Sequence, residues 1–420
     1  MKKYFLAVAS FFIYSHISLG QVYPGQMDST FVPVRSHHYD PELTFDFCVN
    51  EPAWSNQAGI HSAFGSTDRL YFRKEVPVNH DNDLSSSYST TVWRGERANA
   101  QILVWSSEAL EQVRVSTQDL RSAEGNIIPK DRITFELVRY VLSNYPYAEK
   151  KAICGESPYK SGFLMPDRFE TLDRFDLPSQ TTRPVWMMVD VPRGTAPGTY
   201  KGQVEVRAKG KAPQLLNLEI VVQNQLLPYP KDWKYRLDLW QNPWAVAWYN
   251  HVEPWSPEHK MLLKQHLKHY ADAGGTYITT YGVHSPWSDN SYMIEGGMIE
   301  WIKKADGTWA FDYKIFDEYV ELAMECGIDE AITLYTPIPW GFRHRYKDEA
   351  TGDYSYINWA PSSKEFKKMW NIFLTDFKFH LEAKSWLDIT YIGINENPME
   401  ETLAAINVVR NHDKCWKITY

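Results

Sequence analysis

The sequence has few cysteines, no basic run, and no long apolar stretch beyond residues 1–20. Its four cysteines, Cys48, Cys154, Cys326 and Cys415, lack the spacing of a zinc site or a Cys-x-x-Cys redox pair. The formal net charge is −8, which argues against nucleic acid or an acidic membrane surface as a partner. We predict no metal site, no cofactor and no transmembrane segment in the mature protein.

The first twenty residues are typical of a secretion signal. Lys2 and Lys3 precede an apolar run, Tyr4–Tyr14, that is too short to span a bilayer, and residues 18–20 are a plausible cleavage site. We therefore predict a signal peptide over residues 1–20 and an exported protein, periplasmic or extracellular. An uncleaved anchor is the alternative. After export, Cys48 and Cys154 could form a disulfide, or all four cysteines could be buried thiols.

The pattern of apolar and polar residues changes near Leu226–Trp233, where a segment with two prolines separates the two patterns. Before this point, short alternating runs joined by Gly/Pro turns predict an all-β sandwich over residues 21–230. Its predicted strands are Thr91–Trp105, Val113–Thr117, Pro184–Val191, Tyr200–Val206 and Leu215–Val222. His37-His38 and Asp81–Asp83 lie in this part, and we interpret them as loop residues rather than ligands.

After this point, strands alternate with helices, which predicts an α/β fold. The predicted strands are Tyr235–Trp240, Thr276–Tyr281, Ala331–Tyr335, Ile389–Ile394 and Lys417–Tyr420. No Gly-rich phosphate loop follows the first strand, so a (β/α)₈ TIM-type barrel over residues 231–420 is favoured over a doubly wound nucleotide-binding sheet. A barrel needs eight strands. We expect this one to be incomplete after its fifth strand, so that residues 21–420 do not make a stable, active enzyme alone.

Cap residues predict where several helices begin. Ser256 precedes Pro257 at the start of one helix, and Ser362 with Glu365 forms a capping box for another. The helix after the fourth strand is predicted to have Asn397 as its N-cap and Pro398 as its first residue. This turn places Asn395 and Glu396 at the carboxyl end of a strand, where α/β folds hold their active sites.

Aromatic residues are abundant, with 17 Trp and 26 Tyr. Flat C–H faces of sugars stack on such rings, although packing is the alternative role for any single one. Those that follow the first three C-terminal strands are expected to share the end of the sheet with Glu396. These candidate substrate-binding residues, together with polar neighbours, are Trp240, Trp244, Tyr281, His284, Trp287, Trp340 and Arg343.

The Asn395-Glu396 pair suggests a particular type of sugar chemistry. Glycosidases normally use two carboxyl groups. A substrate with a 2-acetamido group instead supplies its own carbonyl oxygen as nucleophile, and the protein supplies an acid/base and a group that orients the acetamide. Glu396 is the candidate acid/base and Asn395 the candidate orienting group. The alternative is that both residues only support the turn.

Three features together resemble glycoside hydrolase family 123. They are the Trp-rich first C-terminal strand, the segment Tyr-Ile-Gly-Ile-Asn-Glu-Asn-Pro-Met-Glu at residues 391–400, and the preceding sandwich that ends in Pro-Gly-Thr-Tyr-Lys-Gly at residues 197–202. The resemblance implies an exported bacterial β-N-acetylgalactosaminidase with a sandwich ahead of a (β/α)₈ barrel. It also implies an Asp-Glu pair after the fourth strand, with Glu as the acid/base. Glu396 matches that Glu, whereas Asn395 stands where Asp is expected and carries no charge.

Three functions follow from these features. The first is an exo-acting glycosidase that releases terminal β-linked N-acetylgalactosamine from a glycan by substrate-assisted retention. The second is a non-catalytic or weakly active glycan-binding relative, because of Asn395 and the incomplete barrel. The third is a double-displacement glycosidase whose nucleophile lies elsewhere.

Overall fold

The computed structural model describes residues 51–79, 84–143, 163–235, 237–287 and 296–420. The described chain divides into two compact units between Leu227 and Pro228. The signal peptide prediction, the possible Cys48–Cys154 pair, His37-His38 and Asp81–Asp83 lie outside the described residues. Cys326 is a buried free thiol and Cys415 an exposed one.

The unit that ends at Leu227 is built from β-strands, preceded by a short helix, α1 (Glu51–Trp54). The strands are β1 (His61–Gly65), β2 (Ser87–Arg94), β3 (Arg97–Ser106), β4 (Leu110–Thr117), β5 (Leu120–Arg121), β6 (Ile127–Ile128), β7 (Ile133–Ser143), β8 (Phe163–Glu170), β9 (Phe175–Leu177), β10 (Thr181–Asp190), β11 (Gly198–Arg207) and β12 (Gln214–Leu226). One sheet has the order β1-β3-β10-β7-β8. The other has the order β2-β12-β11-β4-β9, with β5 and β6 attached to β11. Residues of both sheets, such as Ile102 and Ile220, form one apolar core.

The predicted strand Thr91–Trp105 is wrong, because this run forms two strands in different sheets. Gly95, with φ of 86°, makes the turn between β2 and β3. A glycine takes this left-handed conformation at little cost, so the chain can cross from one sheet to the other. The remaining predicted runs lie in β4, β10, β11 and β12.

The unit from Pro228 to Tyr420 combines helices with two further sheets. Its helices are α2 (Pro243–Asn250), α3 (Pro257–Asp272), α4 (Lys314–Glu325), α5 (Lys364–Lys384) and α6 (Met399–His412). Its strands are β13 (Tyr277–Tyr281), β14 (Glu300–Lys303), β15 (Trp309–Asp312), β16 (Ala331–Tyr335), β17 (Arg343–Asp348), β18 (Tyr354–Asn358), β19 (Thr390–Gly393) and β20 (Lys417–Thr419). In the described residues, none of these helices is long and apolar enough to cross a membrane.

A parallel sheet with the order β13-β16-β19-β20 is the centre of this unit. Helices α4, α5 and α6 connect its consecutive strands, which is the βαβ arrangement that the sequence pattern predicts. Within the part of the chain that the structure describes, the sheet is open rather than closed into a barrel.

The predicted first strand was Tyr235–Trp240, and its described residues, Tyr235 and residues 237–240, form no strand. Among these residues, Leu237 makes a single parallel bridge, to Gly275. The Tyr270 hydroxyl donates to the Leu237 carbonyl at 2.8 Å, and it accepts the Leu239 N–H at 3.2 Å. A side chain therefore satisfies the backbone groups that a neighbouring strand would otherwise pair.

A second sheet, with the order β15-β14-β17-β18, occupies two stretches that the sequence pattern leaves as long loops. Each pair is a hairpin, and Asp306-Gly307 is a strong turn signal within the first of them. The inner face of this sheet joins α5 in a large aromatic core, where Trp301 stacks on Phe373 with ring centroids 4.8 Å apart. Much of the aromatic excess therefore serves packing.

Two predicted helix caps shift by one residue. Ser363, not Ser362, caps α5 by accepting the Phe366 N–H at 3.1 Å. Helix α6 begins at Met399 with Pro398 as its N-cap, so Asn397 is not the cap. The Asn397 amide instead donates to the Ile338 carbonyl at 3.0 Å, which ties the start of α6 to the loop after β16.

Helix α5 offers a matched pair for testing this core. We expect Phe373→Ala to lower the free energy of unfolding by about 3–5 kcal/mol, because a fully buried ring leaves a cavity. Phe379 lies on the same helix but is 68% exposed, so Phe379→Ala is the control and should change stability little. Urea unfolding followed by tryptophan fluorescence measures both. Equal losses in the two variants would contradict this description of the core.

Candidate functional site

The carboxyl ends of three parallel strands meet at one edge of the central sheet. Tyr281 pairs in register with Tyr335, and Tyr335 with Gly393. Residues in register on parallel strands share a face, so these three positions face the same side. Asn395 and Glu396 follow two and three residues after the end of β19. We call this end of the sheet the mouth.

Asn395 is held rigidly at the mouth. Its side chain is buried, with 1% of the residue exposed, and its backbone N–H donates to Thr336 Oγ1 at 3.2 Å. Its Oδ1 accepts the Glu396 N–H at 3.0 Å, which sets the orientation of the amide, because a flipped amide would place two donors together. Asn395 Nδ2 is buried and has no hydrogen-bond partner among the described residues.

Glu396 is exposed, directly beside the buried Asn395. The contacts that fix its backbone come from Asn395, and Asn395 in turn depends on Thr336 in the loop after β16. A carboxyl group on such a fixed backbone can meet a ligand from solvent. The structure thus brings together the two residues that the sequence predicts as the catalytic pair.

Gly393 lets Tyr335 lie close to β19. A Cβ added at Gly393 would lie 2.8 Å from the Tyr335 ring and 3.0 Å from the Thr333 methyl group. No other residue leaves room for this contact without movement. Gly393 therefore allows the Tyr335 ring to lie against β19, two residues before Asn395.

Trp240, Trp287 and Tyr335 form an aromatic cluster at the mouth. Trp240 stacks on Trp287 with centroids 5.4 Å apart, and both rings lie 4.9 Å from the Tyr335 ring. Trp240 is 54% exposed, so a large part of it remains open to a ligand. Trp287 is half-buried, and its Nε1 has no hydrogen-bond partner in the described structure.

Two candidate residues lie in the core instead of on the surface of the mouth. Trp244 is 6% exposed and packs against Tyr281, which is fully buried. The Tyr281 hydroxyl donates to the Gln241 carbonyl at 2.9 Å. Both rings are therefore part of the core, and neither has an exposed face that a sugar could contact.

His284 and Trp340 lie in the loops after β13 and β16, and Arg343 begins β17. The Trp340 N–H donates to the Pro286 carbonyl at 3.0 Å, which joins the loops after β13 and β16. Burial, with Arg345 and Arg343 nearby, lowers the pKa of His284 to about 4. His284 is therefore a neutral imidazole at physiological pH, whereas Arg343 is an exposed cation.

Asp238 is a carboxyl group near the mouth that the sequence analysis did not select. Burial raises the pKa of the Tyr335 hydroxyl, and the charges of Asp238 and Glu396 raise it further, so both carboxyl groups lie near that ring. Asp238 is exposed, but partial desolvation of its carboxyl group raises its pKa. The sequence did contain one signal for Asp238, because it is the only acidic residue in the predicted first strand, Tyr235–Trp240.

The depressed histidine pKa values predict acid sensitivity. The pKa of His344, like that of His284, is lowered to about 4 by burial, from an ordinary value of 6.5. Between pH 6.5 and pH 4, these two histidines are protonated in the unfolded chain but neutral in the folded chain. The free energy of unfolding should therefore fall as the pH drops from 6.5 to 4 and level off below that.

Unfolding in urea between pH 7 and pH 4 measures this effect. His284→Asn should reduce the slope of stability against pH in that window. His269→Asn, at an exposed position, is the control and should leave the slope unchanged. An unaltered slope in His284→Asn would contradict the neutral state of this histidine.

This arrangement combines a solvent-accessible carboxyl group, a buried amide and partly open indole rings. The carboxyl group can donate and accept a proton, the amide can hold a polar substituent, and the Trp240 ring can stack on a flat apolar face. These are the requirements for recognising and cleaving a sugar. The described residues hold no group of three or more His, Cys, Asp or Glu side chains placed for a metal ion.

The sequence matches two models of one protein family. A family model described as glycoside hydrolase 123, catalytic domain, matches residues 240–420, and one described as glycoside hydrolase 123 N-terminal domain matches residues 64–208. Together they cover well over half of the chain. No curated protein matches the sequence.

A solved family 123 glycoside hydrolase from Clostridium perfringens, described in a study of glycolipid glycan hydrolysis, is 26% identical to this chain with a TM-score of 0.76. The match covers 86% of this chain and 63% of that chain, so this chain spans less than two thirds of the relative's length. A PapD-like domain of human CEP192 is 12% identical, with a TM-score of 0.21 and coverage of 44% and 99%. That likeness is too slight to carry an argument.

Proposed function

Because the chain belongs to glycoside hydrolase family 123, we propose that it is a glycosidase that releases terminal β-linked N-acetylgalactosamine from glycans. The observation that carries this proposal is the exposed Glu396 carboxyl group beside buried Asn395 and the Trp240–Trp287–Tyr335 cluster. We also propose that the N-terminal unit is a β-sandwich and that the parallel sheet is part of a (β/α)₈ barrel. Residues 1–20 support export.

In the proposed reaction, the acetamido carbonyl oxygen of the substrate attacks its own anomeric carbon. Glu396 donates a proton to the glycosidic oxygen as the bond to the leaving group breaks, which leaves a cyclic oxazolinium ion that keeps its N–H and a Glu396 carboxylate. The Glu396 carboxylate then takes a proton from water, and the oxygen of this water bonds to the anomeric carbon as the ring bond to the acetamido oxygen breaks. Two inversions give net retention, and Glu396 ends the cycle protonated as it began.

Asn395 would orient the acetamido group. Its Oδ1 has two lone pairs, and the Glu396 N–H uses one of them, so the other can accept the acetamide N–H. This contact would direct the carbonyl oxygen towards the anomeric carbon. A neutral amide gives less stabilisation than a carboxylate to the positive charge that develops on the acetamido group.

The stacking residue of the proposed site is Trp240. It is the most exposed of the three rings in the cluster, and its stacking on Trp287 holds its plane in one direction. A pyranose ring could lie against its open face while Glu396 reaches the glycosidic oxygen. The candidate role of Trp340, which is half-buried in the loop after β16, is to line the same side.

Hydrolysis of 4-nitrophenyl N-acetyl-β-galactosaminide by the whole protein tests this function. We expect turnover with retention, inhibition by an N-acetylgalactosamine thiazoline, and no covalent adduct with a 2-fluoro sugar. The gluco epimer and the matching 2-hydroxy galactoside are the controls. Turnover of the 2-hydroxy galactoside at a comparable rate, or a trapped adduct, would overturn the substrate-assisted reaction.

The second candidate function is glycan binding without turnover. The amide at Asn395, where its buried Nδ2 lacks a partner, favours it, because this position supplies no charge to the reaction. Calorimetric binding of N-acetylgalactosamine together with no release of 4-nitrophenol would support this function over hydrolysis.

A further inference from the structure

A layer of arginine and tyrosine side chains covers one face of the second sheet. The Arg343 guanidinium lies 3.8 Å from the centre of the Tyr356 ring, and that of Arg345 lies 4.2 Å from Tyr354. Tyr354 is 50% exposed and Tyr356 is 47% exposed. Because side chains alternate along a strand, this is the face opposite to buried His344, and it is turned to solvent. We call these four residues the Arg–Tyr face.

The two arginines of the Arg–Tyr face differ in how their charge is balanced. Arg345 Nη2 lies 3.7 Å from Glu300 Oε2, which also accepts the Tyr354 hydroxyl at 3.0 Å. Arg343 is exposed, and among the described residues no carboxylate pairs with it. Its guanidinium is positioned by the Tyr356 ring and keeps its donors for a ligand.

Arg343 is the first residue of β17. It directly follows the loop after β16, which carries Thr336 and the Ile338 carbonyl, the contacts of Asn395 and Asn397. Its charge helps to lower the pKa of His284, which follows β13. The same loop is joined to the loop after β13 through the Trp340–Pro286 hydrogen bond. A glycan whose terminal sugar reaches Glu396 could therefore extend over Arg343 by one or a few further sugar units.

We propose that Arg343 and Tyr356 form a subsite for a carboxylated sugar unit of the glycan that Glu396 cleaves. A carboxylate can accept two parallel hydrogen bonds from a guanidinium, and the adjoining ring can stack on the sugar. An unpaired, planar, exposed cation is complementary to this charge and shape. This subsite rests on the proposed function, and it adds an acidic glycan as the substrate class.

Binding to the whole protein carrying Glu396→Gln tests the subsite without turnover. The probes are two oligosaccharides with terminal N-acetylgalactosamine that differ only in one inner unit, a hexuronic acid or the matching hexose. We expect the acidic chain to bind about 10-fold more tightly, the range of one charge-assisted hydrogen-bonded contact. Adding Arg343→Gln should abolish this preference while the affinity for the neutral chain stays within about twofold.

Two further variants distinguish specific binding at Arg343 from a general effect of positive charge on the affinity for acidic chains. Lys347 is an exposed cation on the same strand, so Lys347→Gln should leave the preference intact. Arg343→Lys keeps the charge but loses the planar fork, and it should retain only part of the preference. Equal affinity for the acidic and neutral chains in the parent, or an equal loss in Lys347→Gln, would overturn the subsite.

A sulfated inner unit carries the same kind of oxyanion and serves as a third probe. If the sulfated chain binds more weakly than the hexuronic acid chain, the subsite prefers a carboxylate, as proposed. Tighter binding of the sulfated chain would overturn this preference. Wild-type hydrolysis is measured in parallel. Absence of hydrolysis with the acidic preference intact would overturn the proposed reaction but support the subsite, so the two failures are distinguishable.

Discussion

Glu396→Gln is expected to lower the turnover of an unactivated N-acetyl-hexosaminide by about 10²-fold or more, because the leaving oxygen would lose its proton donor. The loss should be much smaller for a 4-nitrophenyl substrate, whose leaving group departs without protonation. The comparison of kcat for both substrates measures this difference. Glu396 is exposed, so the substitution should leave the free energy of unfolding almost unchanged.

Glu400→Gln is the matched control, because Glu400 is an exposed carboxyl group four residues further along the chain, in the first turn of α6. It should behave as wild type with both substrates. Near-normal turnover of the unactivated substrate by Glu396→Gln would remove Glu396 from the role of acid/base. An equal loss with both substrates would indicate a binding defect rather than a lost proton donor.

Asn395→Asp is expected to raise the turnover of the N-acetyl substrate on the order of 10-fold to 10³-fold. The carboxylate would supply the charge that a positively charged oxazolinium-like intermediate lacks in the wild type. One of its oxygens can still accept the Glu396 N–H, and the other would replace the unpartnered Nδ2. The new charge is buried, so we also expect a loss of stability.

The same substitution at Asn407, an exposed residue in the interior of α6, is the control for adding one negative charge. Asn407→Asp should leave turnover unchanged and change stability little. If Asn395→Asp leaves the rate unchanged or lowers it, then either the other residues of the mouth are adapted to an amide at this position, or the mouth does not catalyse this reaction. Binding of N-acetylgalactosamine by the wild type would then favour the second candidate function.

Local signals in the sequence identified the four strands of the parallel sheet, β13, β16, β19 and β20. The run from Ala331 to Tyr335 is a strand with the predicted bounds, and α3 begins at Pro257 after Ser256 as predicted. Such features depend on residues close in sequence, because caps and apolar periodicity act within one or two turns. The cap of α5 was missed by one residue, since Ser362 and Ser363 are equivalent signals.

The second sheet shows where local signals failed. Its strands are four to six residues long, and they are stabilised by contacts with α5 that are distant in sequence, such as Trp301 with Phe373. β-Propensity is weak for such short runs, and tertiary packing decides whether they pair. Tertiary packing also explains why Trp244 and Tyr281 were wrongly predicted as surface residues of the site. Both rings are buried in the core.

The sequence by itself determined the family, through the segment around Asn395 and Glu396, and it placed that pair after a buried strand. Tertiary structure alone decided which rings remain open beside the pair: Trp240 is exposed, whereas Trp244 is buried. It also decided that Asn395 Oδ1 is bonded to the Glu396 N–H and that Arg343 stacks on Tyr356. Burial and ring stacking depend on how distant segments meet, and no local pattern carries that information.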